Sequence, residues 1–561
     1  MQISKRNKKK TSIKPGTVVL HQFAPTDLSV NGSPPCLKLE TFLRMAKIPY
    51  ENDYALKFSK KGKMPWIEFN GQEVSDSNFC IRFLTREFKV DIDSHLTNTE
   101  KAIAHSVRTM LEENTYWALV HCRWLSNYGA SIRKKLFAKL FGHLFFPLKH
   151  LLVHRVKSKI RKDLWSQGIG RHSEQDLYGI AERDLLAVSD ILGENKFLFG
   201  EKPCLADAGL FAFIAASAWD CPESPFDVLL KSKAKNLESH ARRMKELYYP
   251  DWDKIISRKS IRFCGSSRAL RPSGKVTTME ISASVPYVGI AALAFVVIYL
   301  LLKRLPKGQK CEKPTNLGTV VLHQFAPYDV VVSASPPCLK LETFLRMTKI
   351  PYENEYGLMF STKGKMPWIE LNGQEVVDSN FCIQFLNKEF QVDIDSHLSA
   401  KEKAIAHSVR TMLEENTYWT MVYFRWCSDY APVLRERWFG HLVFPVKHLV
   451  FYMWQRKCKK DLWAHGVGRH SEADVYGIGE RDLLAVSEIL GHKKFLFGEK
   501  PCLADAALFA FIAAIAWDCP ESPFALLTKS KAKNLDEHAK RMKELYYPDW
   551  DEIISKKHKS G

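Results

Sequence analysis

One arrangement of apolar and polar residues occurs twice along the chain. A short apolar run, Val18 to Leu20, is typical of a β-strand, and a polar loop separates it from LKLETFLRM, whose apolar residues recur at helical spacing. The arrangement from Gly16 to Tyr50 returns from Gly318 to Tyr352. Each occurrence predicts a strand, a loop and a helix. Solenoids and propellers repeat at intervals of roughly 20 to 50 residues. The interval between these two occurrences is much longer, which indicates duplication of a whole domain pair.

The pattern after the first helix predicts a small mixed α/β domain. YENDY predicts a second strand, Trp66 to Phe69 a third, and Asn70-Gly71 a turn into a fourth. A helix is predicted from about Ser77. From about Leu96 the periodicity is helical, and residues 96 to 256 contain no convincing strand. Each repeat is therefore predicted to follow the order β-α-β-β-β-α and then to become all-helical.

An apolar, uncharged segment lies between the repeats, from Ser284 to Leu302. At about 1.5 Å per residue it reaches roughly 28 Å, enough for a bilayer core. Tyr287 and Tyr299 lie near its ends, so a single membrane span is predicted, with a buried core helix as the alternative. More basic residues follow the segment than precede it, which places the second repeat on the cytoplasmic side.

A single span would put the first repeat across the membrane from the second, although both repeats are rich in cysteine. Three explanations stay open: an organellar membrane, a segment that does not fully span, or a chain that merges two adjacent genes. The predicted location is a membrane with the second repeat facing the cytoplasm. The alternatives are the cytoplasm and the mitochondrial outer membrane.

Charge and cysteine content narrow the choice of partners. The net charge of +20 over 561 residues indicates an anionic partner such as membrane lipid. No zinc-finger spacing, Arg-rich recognition helix or RNA-binding aromatic motif occurs, so no nucleic-acid partner is predicted. The thirteen cysteines are scattered without a C-x-x-C pair, which is typical of buried thiols in a reducing compartment. No metal site and no secretory signal are predicted.

The start of the first helix carries residues that could form a reactive thiolate or bind an anion. Ser33 can cap this helix, the following proline suits its first position, and Cys36 would lie in its first turn. The second repeat has Ser335 and Cys338 at the same places. Unpaired backbone N–H groups and the helix dipole favour a thiolate or a bound anion there.

The order of a small α/β domain followed by a helical domain resembles the glutathione transferase fold, in which a thioredoxin-like domain precedes an all-helical one. The resemblance implies glutathione as a cofactor. It places Ser33 at the catalytic position of the first helix and Cys36 where a resolving cysteine lies. FLFGEKPCLADAGLFAFIA resembles the capping segment of the helical domain, with Asp207 at the family's invariant aspartate and Cys204 where Ser or Thr usually caps.

Two residue pairs resemble the family's contacts with glutathione. Met64-Pro65 resembles the cis-proline step, whose preceding backbone pairs with the cysteinyl part of glutathione. Asp76-Ser77 resembles the pair that holds the γ-glutamyl carboxylate at a helix start. The second repeat keeps equivalent residues at both places, namely Met366, Pro367, Asp378 and Ser379.

Each of these residues also has a structural explanation. Ser33 and Ser335 could be simple helix caps, and Cys36 could be a buried structural thiol. A cis-proline is often architectural, and Asp76 could merely start a helix. In GIGRHSE, Arg171 and His172 are predicted to shape a loop, with Ser173 as the next helix cap.

SPPCLKLETFLRM, KGKMPWIE and GIGRHSE resemble the failed axon connections family, relatives of the metaxins. This resemblance implies a membrane-anchored, non-enzymatic or weakly active protein that serves protein interaction in axon development. One alternative is a glutathione-dependent transferase or thiol reductase using Ser33 and Ser335, or Cys36 and Cys338. The other is a metaxin-like component of the mitochondrial outer membrane.

These inferences combine into one predicted organisation. The two transferase-like units could pair with each other, or the chain could form a homodimer. The predicted segments are a basic tail (1–14), a thioredoxin-like domain (15–95), a helical domain (96–257), a basic linker (258–283), a transmembrane helix (284–302), a second basic linker (303–316), a second thioredoxin-like domain (317–397) and a second helical domain (398–555).

Overall fold

The structure is a computed structural model that describes residues 16–141, 146–257, 318–357 and 359–559. The basic tail 1–14, the linkers 258–283 and 303–316, and the predicted transmembrane helix 284–302 lie outside these residues. None of the helices in the described ranges is long and apolar enough to cross a bilayer.

The element order predicted for the first repeat is confirmed. Its strands are β1 (Val18–His21), β2 (Tyr50–Asp53), β3 (Trp66–Phe69) and β4 (Gln72–Ser75). Its helices are α1 (Pro34–Met45), α2 (Ser77–Phe88), α3 (Asn98–Met110), α4 (Tyr116–Trp124), α5 (Ala130–Phe141), α6 (Phe146–Gln167), α7 (Glu174–Leu192), α8 (Leu205–Ile214), α9 (Pro225–Ser232), α10 (Lys235–Tyr248) and α11 (Trp252–Ser257).

The second repeat has the same element order. Its strands are β5 (Val320–Gln324), β6 (Tyr352–Tyr356), β7 (Trp368–Leu371) and β8 (Gln374–Val377). Its helices are α12 (Pro336–Thr348), α13 (Ser379–Phe390), α14 (Ala400–Met412), α15 (Tyr418–Cys427), α16 (Ala431–Phe439), α17 (Val446–His465), α18 (Glu472–Leu490), α19 (Leu503–Ile512), α20 (Pro523–Ser530), α21 (Lys533–Tyr546) and α22 (Trp550–Lys559).

Each repeat contains a four-stranded mixed sheet. β1 pairs parallel with β2 and antiparallel with β3, which continues to β4, so the order is β2-β1-β3-β4. The second sheet repeats it as β6-β5-β7-β8. Val18 and Leu20 of the central strand are fully buried against α1 and α2, in a cluster with Leu39, Phe42 and Leu84. The tandem pair of thioredoxin-like and helical domains is therefore confirmed.

The turn between β3 and β4 follows from its two residues. Asn70 and Gly71 both have positive φ angles, 49° and 79°. A two-residue hairpin of the favoured handedness requires this conformation, and Asn-Gly adopts it at low cost. The turn fixes the register in which Trp66 lies opposite Ser75, immediately before α2.

The start of α8 is held by a buried carboxylate. Asp207 accepts hydrogen bonds from the backbone N–H groups of Cys204 at 2.8 Å and Leu198 at 2.9 Å, and its Oδ1 lies 2.8 Å from Nε2 of His240. The aspartate half of the predicted capping box is thus present, although Cys204 replaces the usual hydroxyl residue.

Four short π-helical segments in the described residues were not predicted from the sequence, and two of them, Ala215–Trp219 and Ala513–Trp517, follow α8 and α19. Leu111–Thr115 links α3 to α4, and Leu413–Thr417 links α14 to α15. The first segment directs Asn114 and Thr115 onto the buried carboxylate of Asp184, at 2.9 and 2.7 Å. Helical periodicity in the sequence cannot reveal this widening, because it depends on a partner about seventy residues away.

The chain divides into two compact units that differ from the two repeats. Among the described residues, one unit comprises 16–141, 146–257, 393–428 and 458–547, and the other comprises 318–357, 359–392, 429–457 and 548–559. The first unit therefore joins the first repeat to most of the second repeat's helical domain.

Candidate functional site

The candidate site of each repeat begins at the start of its first helix. Ser33 is the N-cap residue of α1, but its side chain makes no capping hydrogen bond, and Ser335 at α12 makes none either. Prolines occupy the first two helical positions, so the N–H of the second position, one of the two that a cap side chain can bind, is absent. The expectation that Ser33 and Ser335 cap these helices is therefore wrong.

The cysteines in the first turns of α1 and α12 lie in buried surroundings, as structural thiols do. Cys36 and Cys338 are fully buried. Burial raises the pKa of the Cys36 thiol to about 12, although hydrogen bonds from Ser33 and the Phe23 backbone act in the opposite direction. The pKa of Cys338 is raised to about 12 for the same reason. At neutral pH both residues are protonated thiols, which are poor nucleophiles.

The expected cis-proline steps are present. The Met64-Pro65 and Met366-Pro367 peptide bonds are both cis, and each step leads directly into the strand next to the central strand. The backbone of Met64 thus lies at the strand entrance where the resemblance places a peptide ligand. The role of either step in binding glutathione stays a prediction.

Asp76 starts α2, with Ser77 as the first helical residue. Its Oδ1 accepts a hydrogen bond from the Asn78 backbone N–H at 3.0 Å, while Oδ2 lies 2.8 Å from the ammonium group of Lys63. Although burial raises the pKa of Asp76, the charges of Lys63 and His470 hold it well below its ordinary value. The carboxylate is therefore ionised and already paired with a cation of this chain.

The backbone at Asp76 is held in an unusual conformation. Its φ and ψ are 81° and 128°, and Asp378 has the same values. Non-glycine residues rarely adopt this region, and such outliers cluster at sites where the surrounding structure fixes the geometry. Asp378 accepts the Asn380 N–H at 3.0 Å, and Lys365 lies 3.5 Å from it.

His470 belongs to the second repeat but lies beside the first repeat's site. Its ring stacks on Phe79 with centroids 4.6 Å apart, and its Nε2 is 3.4 Å from Lys63 Nζ and 3.8 Å from Asp76 Oδ2. Burial, together with the charge of Lys63, lowers the pKa of His470 to about 4. Its equivalent in the first repeat, His172, was predicted only to shape a loop, and nothing local in the sequence indicates the distant partners of His470.

A buried lysine also joins this region without having been predicted. Lys38 on α1 is fully buried, and its ammonium group binds Glu112 at 2.6 Å and Asn78 at 2.9 Å. Burial lowers its pKa. The position of Lys38 within an apolar helical pattern could have indicated a buried ion pair, because buried lysines need a specific partner.

The GIGRHSE loop has the predicted structural role at its helix end. Ser173 caps α7 by accepting the Asp176 backbone N–H at 3.1 Å. Arg171 donates to the Trp165 carbonyl at 3.1 Å. In the described part of the chain no cluster of histidine, cysteine and carboxylate side chains could hold a metal ion.

The site fits glutathione only in part. The cis-Met64-Pro65 step and the helix start at Ser77 are in place for a peptide backbone and a carboxylate. The Asp76 carboxylate, which a ligand ammonium would need, is bound by Lys63. Among the described residues of the first repeat's site, the Cys36 thiol is buried and protonated and the Asp76 carboxylate is paired with Lys63.

Comparison with known proteins agrees with this geometry. Family models described as Glutathione S-transferase N-terminal domain match residues 34–129 and 336–431. Those described as Glutathione S-transferase, C-terminal domain match residues 181–244 and 479–542. Both repeats are thus glutathione S-transferase-like units.

Individual relatives give more detail about the class of protein to which the repeats are similar. Failed axon connections of Drosophila melanogaster is 34% identical over 42% of this chain and 60% of the fly protein, so less than two thirds of that protein is spanned. Isoprene-epoxide--glutathione S-transferase of Rhodococcus sp. (strain AD45) is 26% identical over 40% of this chain and 99% of the enzyme. The Arabidopsis thaliana mitochondrial outer membrane import complex protein METAXIN is 22% identical over 41% of this chain and 73% of the plant protein. The chain belongs to the glutathione S-transferase-like family as a tandem member, and it is similar to failed axon connections and to metaxin.

Proposed function

We propose that this chain is a membrane-anchored tandem of transferase-fold units that acts through protein interactions, with little or no enzymatic activity. The observation that carries the proposal is the state of the first repeat's site. Its thiol is buried and protonated, and its Asp76 carboxylate is paired with Lys63. A transferase site needs groups that are free to bind and ionise glutathione.

The relatives support a role in interaction. The fly relative is named for axon connections and the plant relative for an import complex. By this likeness, the chain would contribute protein contacts in axon development. The segment 284–302 would supply the anchor, and the net charge of +20 would favour an anionic lipid surface.

Glutathione binding and turnover test the proposal. The full chain in detergent is applied to immobilised glutathione and assayed for conjugation and deglutathionylation. We expect no turnover above the uncatalysed rate, in the wild type and in the double variant Ser33→Ala, Ser335→Ala alike. Turnover that disappears in this double variant would replace the interaction role with catalysis.

A glutathione-dependent transferase or thiol reductase is the second candidate function. The helix starts at Ser77 and Ser379 and the bacterial relative's name favour it. A reductase that used Cys36 or Cys338 would first have to expose and ionise a buried thiol. Loss of deglutathionylation in the double variant Cys36→Ser, Cys338→Ser would establish that function.

A metaxin-like role at the mitochondrial outer membrane is supported by the plant relative's name. Fractionation tests both this location and the anchor. We expect the intact chain to stay in the pellet during alkaline carbonate extraction, because a spanning helix is retained by the bilayer. Release into the supernatant would exclude the anchor, and co-sedimentation with mitochondria would favour the metaxin-like role.

A further inference from the structure

We propose that one corner of the second repeat, formed by the loop before α17 and the first turns of that helix, rests on the surface of a bilayer that contains anionic lipid. The residues that carry this inference all lie within the second compact unit of the chain. The inference goes beyond the proposed function, because this contact would form whether the chain acts through protein interactions or as an enzyme.

Large apolar side chains are exposed together at this corner. The set, here called the α17 patch, consists of Val443, Phe444, Leu449, Tyr452 and Met453. Val443 and Phe444 are 71% and 76% exposed. Helical residues three or four positions apart share a face, so Leu449 lies beside Tyr452 and Met453. The Phe444 ring lies on His448, with centroids 5.1 Å apart, which brings the loop against the first turn of α17.

α17 has a separate face that packs into the second repeat. Phe451 is buried, and its ring centroid is 6.1 Å from that of Phe439 on α16. Trp454 contacts Phe360 with ring centroids 6.0 Å apart. The helix is therefore held by other residues than those of the α17 patch. A contiguous apolar surface that the core does not need is typical of an interaction site.

The charges around the α17 patch indicate what binds there. Residues 441–457 include Lys447, Arg456 and Lys457 but no aspartate or glutamate. Arg456 and Lys457 are exposed one turn beyond Tyr452 and Met453, on the same helix face. Their charged ends can reach lipid phosphates while the apolar side chains enter the headgroup layer. An anionic bilayer therefore matches both the apolar and the basic part of this face.

The first repeat shows that the apolar surface belongs to the second repeat. Residues 149–151 and 447–449 share the sequence Lys-His-Leu, which aligns α6 with α17. His154 and Arg155, both exposed, then occupy the places of Tyr452 and Met453. The equivalent face of α6 is therefore polar, although the two helices are closely similar around it.

The second repeat also follows the predicted anchor directly. The anchor segment ends at residue 302, and the chain from there to Gly318 spans at most about 60 Å. A domain on so short a connection would stay close to the bilayer, where a weak surface contact suffices to orient it. This step alone rests on the anchor of the proposed function.

Hydrogen exchange of the full chain in lipid nanodiscs tests the contact. We expect the amides of residues 442–453 to exchange about tenfold more slowly in discs of phosphatidylcholine and phosphatidylserine than in discs of phosphatidylcholine alone, because the anionic surface holds the patch against the headgroups. Residues 148–155 of α6 should exchange equally in both discs. Equal exchange of residues 442–453 in the two compositions would overturn the proposal.

A double variant tests the apolar part of the patch. Phe444→Ser, Met453→Ser should lose the slower exchange in the anionic discs. Leu526→Ser, Leu545→Ser removes two exposed side chains elsewhere in the second repeat and should keep it. Native circular dichroism checks that both variants are folded. A folded patch variant that keeps the wild-type difference between the discs would contradict the inference.

A second pair of variants tests the charge. Arg456→Gln, Lys457→Gln should abolish the difference between the two disc compositions. Lys529→Gln, Lys533→Gln lowers the net charge by the same amount at other exposed positions and should preserve the difference. An equal loss in both double variants would assign the effect to net charge alone and overturn the proposed surface.

Two further measurements separate this inference from its alternatives. Slower exchange that appears in phosphatidylcholine discs and grows with protein concentration would assign the patch to a second copy of the chain, against the proposal. Alkaline carbonate extraction tests the anchor independently, and we expect the wild type and Phe444→Ser, Met453→Ser to stay in the pellet alike. Release of both would exclude the anchor, whereas the exchange difference between the discs would still decide the surface contact.

Discussion

Asp207 is a fully buried carboxylate that ties three segments of the first helical domain together. It accepts from the backbone of Cys204 and Leu198 and contacts His240. Asp505 has the same three partners in the second repeat: Cys502, Leu496 and His538. The sequence marked this aspartate by resemblance, and the structure supplies the physical reason for its presence.

We expect Asp207→Ala to destabilise the protein by about 3–5 kcal/mol, because it leaves two buried N–H groups and a histidine without their acceptor. Chemical denaturation measures the loss. Asp505→Ala should have a similar effect, and Asp176→Ala, at a partly exposed position, a much smaller one. A loss below about 1 kcal/mol would contradict the structural role.

His470 makes stability depend on pH. Its pKa is about 4 in the folded protein and 6.5 ordinarily, so the unfolded chain binds more protons between these values. Its stabilising contribution is complete above pH 6.5 and is lost as the pH falls towards 4. The groups that face the ring are Lys61, Lys63, Asp76 and Asp474.

Between pH 7 and 5 we expect the wild type to lose on the order of 1–2 kcal/mol more stability than His470→Phe. Phenylalanine preserves an aromatic ring on Phe79 but does not titrate. Denaturant titrations at the two pH values measure the difference. Equal losses would show that His470 does not carry this proton linkage.

At the scale of elements, two helix starts show how the neighbouring residues decide whether a side chain caps the helix. α3 begins with a full capping box, in which Thr97 accepts the Glu100 N–H at 3.2 Å and Glu100 accepts the Thr97 N–H at 2.8 Å. α1 begins with Ser33, whose side chain makes no such bond. The two prolines after Ser33 fix the start of α1 in place of a cap.

Thr97→Ala should therefore cost about 1 kcal/mol of folding free energy, and Ser33→Ala less than about 0.5 kcal/mol. Ser399→Ala at α14 is the matched variant for Thr97→Ala, since Ser399 forms the same capping box with Glu402. Thermal or chemical denaturation ranks the three. A Ser33→Ala variant as unstable as Thr97→Ala would indicate a role for this hydroxyl beyond the helix start.

Reciprocal contacts join the helical domains of the two repeats within the first compact unit. His105 binds Asp482 and His407 binds Asp184, so each helical domain depends on the other for one buried hydrogen bond. His105→Ala and His407→Ala should each cost about 1–3 kcal/mol, the cost of leaving a buried acceptor unsatisfied. Denaturation of both variants should give similar losses, and His492→Ala none. Losses that differ severalfold would contradict the equivalence of the two contacts.

The sequence by itself determined the duplication, the order of strands and helices, the Asn70-Gly71 turn and the Ser173 cap. These features depend on apolar periodicity and on the conformations of a few neighbouring residues, which the chain carries locally. The cis-prolines and the site at Asp76 followed from resemblance to a known family. The cis peptide bonds and the helix start at Ser77 agree with that resemblance, while the roles of these residues in binding stay predictions.

Only the tertiary structure decided what the site contains. Lys63 neutralises Asp76, burial keeps Cys36 protonated, and His470 arrives from the other repeat. The π-helical turn at Leu111–Thr115 likewise forms around the distant Asp184. Burial and ion pairing arise from residues far apart in the chain, and no local pattern records which of them will meet.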